Sequence, residues 1–166
     1  IADIKRVIIA ESSAIYEGNT NFPTPEVDEN PLSFYAVSKY SDKFYSQAYA
    51  RFHGFNITSL RYFNVYGPKQ DYRRTIPPLM SAIIIKLLKK EIPQIFGDGT
   101  KRRDFIYVDD VNRFHEMIIN DSRTFGQTYN LGSGKNYSVN EIFEIIESLL
   151  QTGIKPDYGD DLLGEA

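Results

Sequence analysis

The chain has 166 residues, 42% hydrophobic and 25% charged, with a formal net charge of −3, an ordinary composition for one globular domain or one and a half small ones. It has no cysteine, which excludes disulfides, thiol catalysis and Cys-ligated metals. Its basic clusters, Arg73-Arg74 and Lys101-Arg102-Arg103, are too short for a nucleic-acid stripe, although a few placed arginines can still hold a diphosphate.

In chain order, Val7-Ile8-Ile9-Ala10 is a short apolar, β-branched run of the kind found in buried parallel strands. A chain that opens one step before such a strand reads as one that begins mid-protein. A Pro-, Asn- and Glu-rich loop follows from Glu17 to Pro31. Ser33 is a plausible N-cap for a helix running to His53, with Gly54 as its stop. Ile57–Tyr62 is a second buried-type strand, followed by a loop over Asn64–Pro68. Pro77-Pro78 opens an apolar helix ending near Lys89-Lys90-Glu91, and Gln94–Phe96 is a short strand before the Gly97-Asp98-Gly99 turn. Phe105–Val108 is strand-like, with Asp109 placed to cap a helix to about Asn120. Tyr129–Leu131 leads into the turn Gly132-Ser133-Gly134. Ser138 and Glu141 form a capping-box pair before an amphipathic helix to Leu150. The polar tail from Gly153 carries no further expected element. Strands alternating with helices predict an α/β fold with a parallel sheet.

The longest apolar run, Ser81–Ile85, is too short to span a bilayer, and Ile1–Val7 lacks signal-peptide form; no membrane association and a cytoplasmic location are expected. His53 and His115 fit no metal-ligand spacing. No metal site is expected, and both histidines read as surface or helix-packing residues.

Tyr35 and Lys39 stand four apart on the predicted helix, so they project from one face a turn apart. An ammonium there favours the phenolate, the form a general base needs. With 12 tyrosines in the chain, the spacing also arises by chance, and in isolation a surface Tyr beside a solvated Lys is the better reading. Ser12-Ser13-Ala14-Ile15-Tyr16 follows directly on the first strand, and ligands of open α/β sheets sit off the carboxyl ends of strands. The same serines could simply cap a turn.

Taken in order, Ser12–Tyr16, Tyr35-x-x-x-Lys39, Arg61-Tyr62-Phe63-Asn64-Val65-Tyr66-Gly67-Pro68, Phe96–Thr100, Arg103–Asp110 and Tyr129–Gly134 resemble the extended short-chain dehydrogenase/reductase family of NAD-dependent epimerases and dehydratases. The resemblance covers about Ile4 to Leu150. It implies that Tyr35 takes the proton from a sugar hydroxyl as hydride passes to nicotinamide, and that Lys39 binds the nicotinamide ribose and tunes Tyr35. Ser12 takes the catalytic serine/threonine position, with Ser13 beside the substrate. Tyr62 and Phe63 border the nicotinamide. Asn64 and Arg103 hold the nucleotide diphosphate, and Gln94 to Phe96 lie beside the nucleobase.

Departures from the family narrow the chemistry. Dehydratases carry acids directly after the catalytic hydroxyl residue; here Ser13 and Ala14 stand there, and neither is a carboxylic acid. Reductive epimerases carry a Cys where Ala14 stands and a His where Arg74 aligns. What remains suffices for oxidation and re-reduction at one carbon, so the expected activity is NAD-dependent 4-epimerisation of a UDP-hexose. The alternatives are another nucleotide-sugar oxidoreductase or a non-catalytic chain that binds nucleotide sugar. Glu11 stands where the family has a small residue, and nothing in the sequence explains it.

The resemblance also implies an organisation. Residues 1–75 would be the C-terminal part of a Rossmann-type NAD-binding domain, and 76–166 mainly a smaller substrate-binding lobe, with a return to the parallel sheet near 104–131. The glycine-rich dinucleotide fingerprint occurs nowhere in these residues. It is expected upstream, and residues 1–166 alone are expected to hold NAD weakly and to be inactive. The aromatic-rich Tyr/Lys helix implies a homodimer.

Overall fold

A computed structural model describes Ile4 and residues 6–161; residues 1–3, 5 and 162–166, the outermost parts of the two expected segments, lie outside the described residues. The elements are β1 (Arg6–Ser12), α1 (Phe34–His53), β2 (Asn56–Tyr62), β3 (Asn64–Tyr66), α2 (Leu79–Leu88), β4 (Gln94–Phe96), β5 (Arg102–Tyr107), α3 (Val108–Ile118), β6 (Thr128–Leu131), β7 (Asn136–Ser138), α4 (Val139–Leu150) and β8 (Asp157–Gly159). The described residues divide into two compact units, the first running to residue 65 and resuming over 106–134, the second spanning 66–105 and 135–161. The sequence reading drew these boundaries at 75/76 and around 104–131.

The first unit is built on a three-stranded sheet in the order β1-β2-β6. All its pairings are parallel, from Arg6 opposite Asn56 to Ser12 opposite Tyr62, and from Ser59 opposite Thr128 to Tyr62 opposite Leu131. Parallel neighbours need a long crossover, which α1 provides between β1 and β2. In the central strand β2, five consecutive residues from Ile57 to Arg61 are buried, as expected of a strand covered on both faces. Its core is Leu60, Ile106, Val111, Ile118 and Leu131. The expected α/β class with a parallel sheet is the fold observed.

Helix α1 starts where the Ser33 hydroxyl accepts from the Ala36 amide at 3.1 Å. It stops at Gly54, whose φ of 69° is the left-handed conformation that favours glycine at a helix C-terminus. Helix α3 departs from expectation. Tyr107 is its N-cap and Asp109 lies inside the first turn, where a carboxylate complements the positive end of the helix without capping it.

In the second unit, α2 and α4 pack together over a core of Ile83, Leu87, Ile95, Phe105, Ile142, Phe143 and Ile146. The capping box is present: the Ser138 hydroxyl accepts from the Glu141 amide at 3.1 Å, and the Glu141 carboxylate accepts from the Ser138 amide at 2.7 Å. Strands β5 and β7 pair antiparallel, Arg103 opposite Tyr137. At Gly99, φ is 73°, and a Cβ would lie 2.1 Å from the Asn140 side-chain oxygen; any other residue here would strain the backbone and displace Asn140 at the start of α4. Two expectations are corrected. Asn64–Tyr66 is a short strand inside the expected loop, and the tail contributes β8, which pairs parallel with β4. Asp157-Tyr158-Gly159 lacks apolar alternation, so backbone pairing with β4 and not side-chain pattern makes it a strand.

Burial alternates sharply along α2: Leu87 is 1% exposed and Leu88 is 61% exposed. Leu87→Ala should cost about 2–5 kcal/mol through lost packing and a residual cavity. Leu88→Ala should stay within about 0.5 kcal/mol, and urea denaturation of the two variants measures the contrast.

Candidate active site

The carboxyl end of β1 delivers Ser12. Its hydroxyl oxygen accepts from the Ala14 amide at 3.2 Å, capping the single 3-10 turn Ser13–Tyr16. That bond uses an acceptor site of the hydroxyl and leaves its proton to donate elsewhere. Ser13 opens the turn and is half-buried. Just beyond, Glu17 reaches the start of α1, where its carboxylate accepts from the Ser33 amide at 2.9 Å and the Ser33 hydroxyl at 3.0 Å. The β1 turn and the first turn of α1 are thereby tied together two residues before Tyr35.

Tyr35, near the start of α1, is 56% exposed. Lys39, one turn on, directs its ammonium at the Ala10 carbonyl of β1, 3.3 Å away, and lies 3.5 Å from the Asp42 carboxylate. Half-buried and anchored, this lysine is not the freely solvated side chain that the Tyr-x-x-x-Lys spacing alone left open. A phenol, an ammonium and a serine hydroxyl suit the ribose and nicotinamide half of a dinucleotide together with a sugar hydroxyl: donors and a proton acceptor, with no acidic residue among them.

Tyr62 ends β2 half-buried, and burial raises its phenol pKa. Its hydroxyl lies 2.8 Å from His115 Nε2, while His115 Nδ1 lies 2.8 Å from the Val111 carbonyl. A carbonyl only accepts, so Nδ1 carries a proton; in the neutral ring Nε2 then accepts from Tyr62. His115 thus links its own helix to Tyr62 of β2. Phe63 is fixed by its amide donating to the Leu131 carbonyl at 3.0 Å, and its ring lies 6.5 Å from that of Tyr16. Asn64 follows at the start of β3.

In the second unit, Gln94 and Phe96 are exposed on β4, whereas Ile95 between them is buried; the strand alternation points both to one outward face. Arg103 sits on β5, half-buried, with Nη1 donating to the Arg102 carbonyl at 2.9 Å.

What the sequence reading missed lies in the first unit, directly behind the Ser12 turn. Arg61 and Glu11 are register partners on β2 and β1, and both side chains are 1% exposed. Arg61 Nε donates to Glu11 at 2.9 Å, Nη1 to the Tyr16 hydroxyl at 2.6 Å and to the Glu26 carbonyl, and Nη2 to Glu29 at 2.7 Å. Lys43 of α1 also pairs with Glu29. Burial alone would lower the Arg61 pKa, but the bonds to Glu11, Tyr16 and Glu29 more than reverse this, and the net shift is upward. Burial pushes the Tyr16 phenol up, and its hydroxyl donates to Asn130 Oδ1 at 2.7 Å. Glu11, unexplained by the sequence, is thus the carboxylate that makes a buried arginine tolerable. The available signal was two opposite charges inside two apolar runs.

Residues 1–132 match the NAD dependent epimerase/dehydratase family. A UDP-glucuronate 4-epimerase of Thermodesulfobacterium geofontis is 37% identical over 159 residues, covering 93% of this chain and 47% of that protein. A UDP-glucose 4-epimerase of Thermotoga maritima, solved with UDP-glucose, superposes with a TM-score of 0.92 at 34% identity, over 98% of this chain and 53% of that one. A UDP-N-acetylglucosamine 4-epimerase of Methanobrevibacter ruminantium, solved with UDP-N-acetylmuramic acid, gives 0.89 at 35%, over 98% and 52%. The chain spans about half the length of the curated relatives it matches.

The acidic limb of the stability curve follows from Glu29. Burial would raise its pKa, but hydrogen bonds from Lys43 and Arg61 outweigh that and hold it below the ordinary value. The unfolded chain then binds the proton more tightly than the folded one. The stabilisation is complete above the unfolded value of about 4.3 and is lost as pH falls through the depressed folded value. Urea midpoints between pH 3 and 7 should fall more steeply below that point for the wild type than for Glu29→Gln.

Proposed function

The chain belongs to the NAD dependent epimerase/dehydratase family, and from that premise we propose that it carries the catalytic and nucleotide-sugar-binding residues of a UDP-hexose 4-epimerase. The observation that carries the reading is the arrangement at the carboxyl end of β1. Ser12 sits on the turn itself, Lys39 is anchored to the Ala10 carbonyl, and Tyr35 is exposed one turn before Lys39 on a helix tied to that same turn.

In this reading Tyr35 takes the proton from the sugar 4-hydroxyl and later returns it, acting as base and then as acid. Ser12 shares the proton between the sugar oxygen and the phenol. Lys39 holds the ribose of the cofactor. NAD, held by Tyr35, Lys39, Tyr62 and Phe63, would supply a reversible hydride acceptor for the sugar C4. Tyr62 and Phe63 flank the nicotinamide. Asn64 and Arg103 bind the diphosphate, and Gln94 and Phe96 contact the nucleobase. These substrate roles rest on the resemblance. Ser13 and Ala14, where a dehydratase would hold acids, favour epimerisation over elimination.

The reading includes a cytoplasmic location and a homodimer; among the described residues no helix is long and apolar enough to cross a membrane. The dimer is supported by α1, where Phe34, Phe44, Tyr45, Tyr49 and Phe52 are all exposed while its sheet-facing side buries only small residues, Ala36 and Ser46. So much exposed aromatic surface on one helix calls for a cover.

In the full-length protein, Tyr35→Phe should lower epimerase turnover by at least about 10²-fold while nucleotide-sugar binding persists. Arg103→Ala should instead weaken nucleotide-sugar binding by about tenfold or more, a charge-assisted contact being worth about 1.5–3 kcal/mol. Steady-state kinetics and calorimetry separate the two, and undiminished turnover in Tyr35→Phe would refute the mechanism. Light scattering should give a dimer that Tyr45→Asp or Phe52→Asp dissociates; a wild-type monomer at high concentration would refute the assembly.

A further inference from the structure

The cluster around Arg61 has no part in the proton and hydride steps, yet it touches every segment that carries them in the first unit. Its Nε binds Glu11, the residue immediately before Ser12. Its Nη1 binds the Tyr16 hydroxyl at the end of the Ser13–Tyr16 turn and the Glu26 carbonyl in the 17–31 loop. Its Nη2 binds Glu29 of that loop, and Glu29 in turn pairs with Lys43, one turn beyond Lys39 on α1. A planar guanidinium with donors on three nitrogens can satisfy these directions together; a lysine ammonium cannot.

The loop has no helix or strand of its own between the Ser13–Tyr16 turn and α1, so polar contacts define its course. The Asn30 amide donates to the Ile15 carbonyl at 2.8 Å, and the Gly18 amide to the Asn30 carbonyl at 3.0 Å. Asn130 of β6 adds its amide to Glu26 at 3.1 Å and its side chain to the Thr24 carbonyl at 3.0 Å, while accepting from Tyr16. The contacts of Tyr16, Glu26 and Glu29 lead back to one guanidinium. Glu11 depends on it too: its second carboxylate oxygen is buried and has no hydrogen-bond partner among the described residues.

We propose that Arg61 is a positioning residue for the reaction. Its buried guanidinium sets the placement of the Ser12 hydroxyl and of the Tyr35/Lys39 helix by clamping β1, the Ser13–Tyr16 turn and the 17–31 loop to one point. This rests on the reading that Ser12, Tyr35 and Lys39 perform the chemistry. Arg61 needs no contact with substrate or cofactor to do so; a misplacement of about 1 Å in a reacting group can cost about 10²-fold in rate.

The test uses the full-length protein carrying Arg61→Lys, which keeps the charge and loses the fork. Glu29→Ala serves as a milder second variant, leaving the Glu11–Arg61 pair in place should Arg61→Lys fail to fold. Two readings are taken at a temperature where the variant is folded: nucleotide-sugar kinetics per folded molecule, and amide hydrogen exchange. The expected result is a fall in kcat of about tenfold or more with KM within about threefold. With it, the Gly18, Asn30 and Ser33 amides should lose protection while those of Ile57–Leu60 keep theirs. Unchanged kcat, or protection lost evenly across the sheet, would reduce Arg61 to a residue of general stability and overturn the proposal. If the wild type turns over no nucleotide sugar, the functional reading fails instead. Exchange then decides alone: loss confined to the loop keeps the clamp, and no such loss refutes it.

Discussion

An arginine surrounded by protein on a central β-strand is the constraint around which the first unit is arranged. Taking a guanidinium and a carboxylate out of water costs several kcal/mol per ion, and attraction offsets that only when geometry and further hydrogen bonds are good. Here they are. Glu11 faces Arg61 in strand register, and the remaining donors meet a phenol, a backbone carbonyl and a second carboxylate. Lys43 offsets the extra negative charge at the rim. Removing one member would strand the others, and breaking such pairs typically costs about 3–5 kcal/mol. A cluster so demanding fixes the path of any segment that contributes to it, and four do: β1, the turn after it, the 17–31 loop and α1.

That fixing matters because the three proposed reacting groups come from two elements that an irregular loop connects. Ser12 rides on a strand end, and Tyr35 and Lys39 ride on a helix separated from it by an irregular loop. Small residues at Ala36 and Ser46 let α1 lie close to the sheet, and the Glu17–Ser33 contact and the Lys39–Ala10 contact pin its first turns. The chemistry asks only for a phenol, a hydroxyl and an ammonium; the fold's contribution is to hold them still.

Much of this was legible in the sequence because it depends on local signals. The capping box at Ser138 and Glu141, the Ser33 cap with its Gly54 stop, and the two β-branched runs each report chemistry within a few residues, and each formed. The family motifs around Ser12, Tyr35 and Lys39 pointed to the carboxyl end of β1. What stayed hidden depends on distance. Glu11 is inexplicable until β2 brings Arg61 opposite, 50 residues on. Strand β8 has no apolar alternation to announce it, since its existence depends on an open edge at β4. Asp109 looked like a cap because it precedes a helical pattern, but the N-cap is Tyr107 and the helix starts at Val108, two residues sooner, because β5 runs directly into it.

The chain passes between the two units three times, after residues 65, 105 and 134, and this interleaving governs how the molecule can be made. Strand β4 is synthesised 63 residues ahead of its partner β8, as Gln94 pairs with Asp157. Central strand β2 likewise waits through the whole first stretch of the second unit before β6 exists to join it. Neither unit can be completed during translation until the other has been entered, so each must tolerate an exposed strand edge meanwhile. Neither is a module that recombination could move as one continuous segment. A lineage can alter the second unit's surface residue by residue, but it cannot exchange that unit wholesale without severing the first unit's sheet.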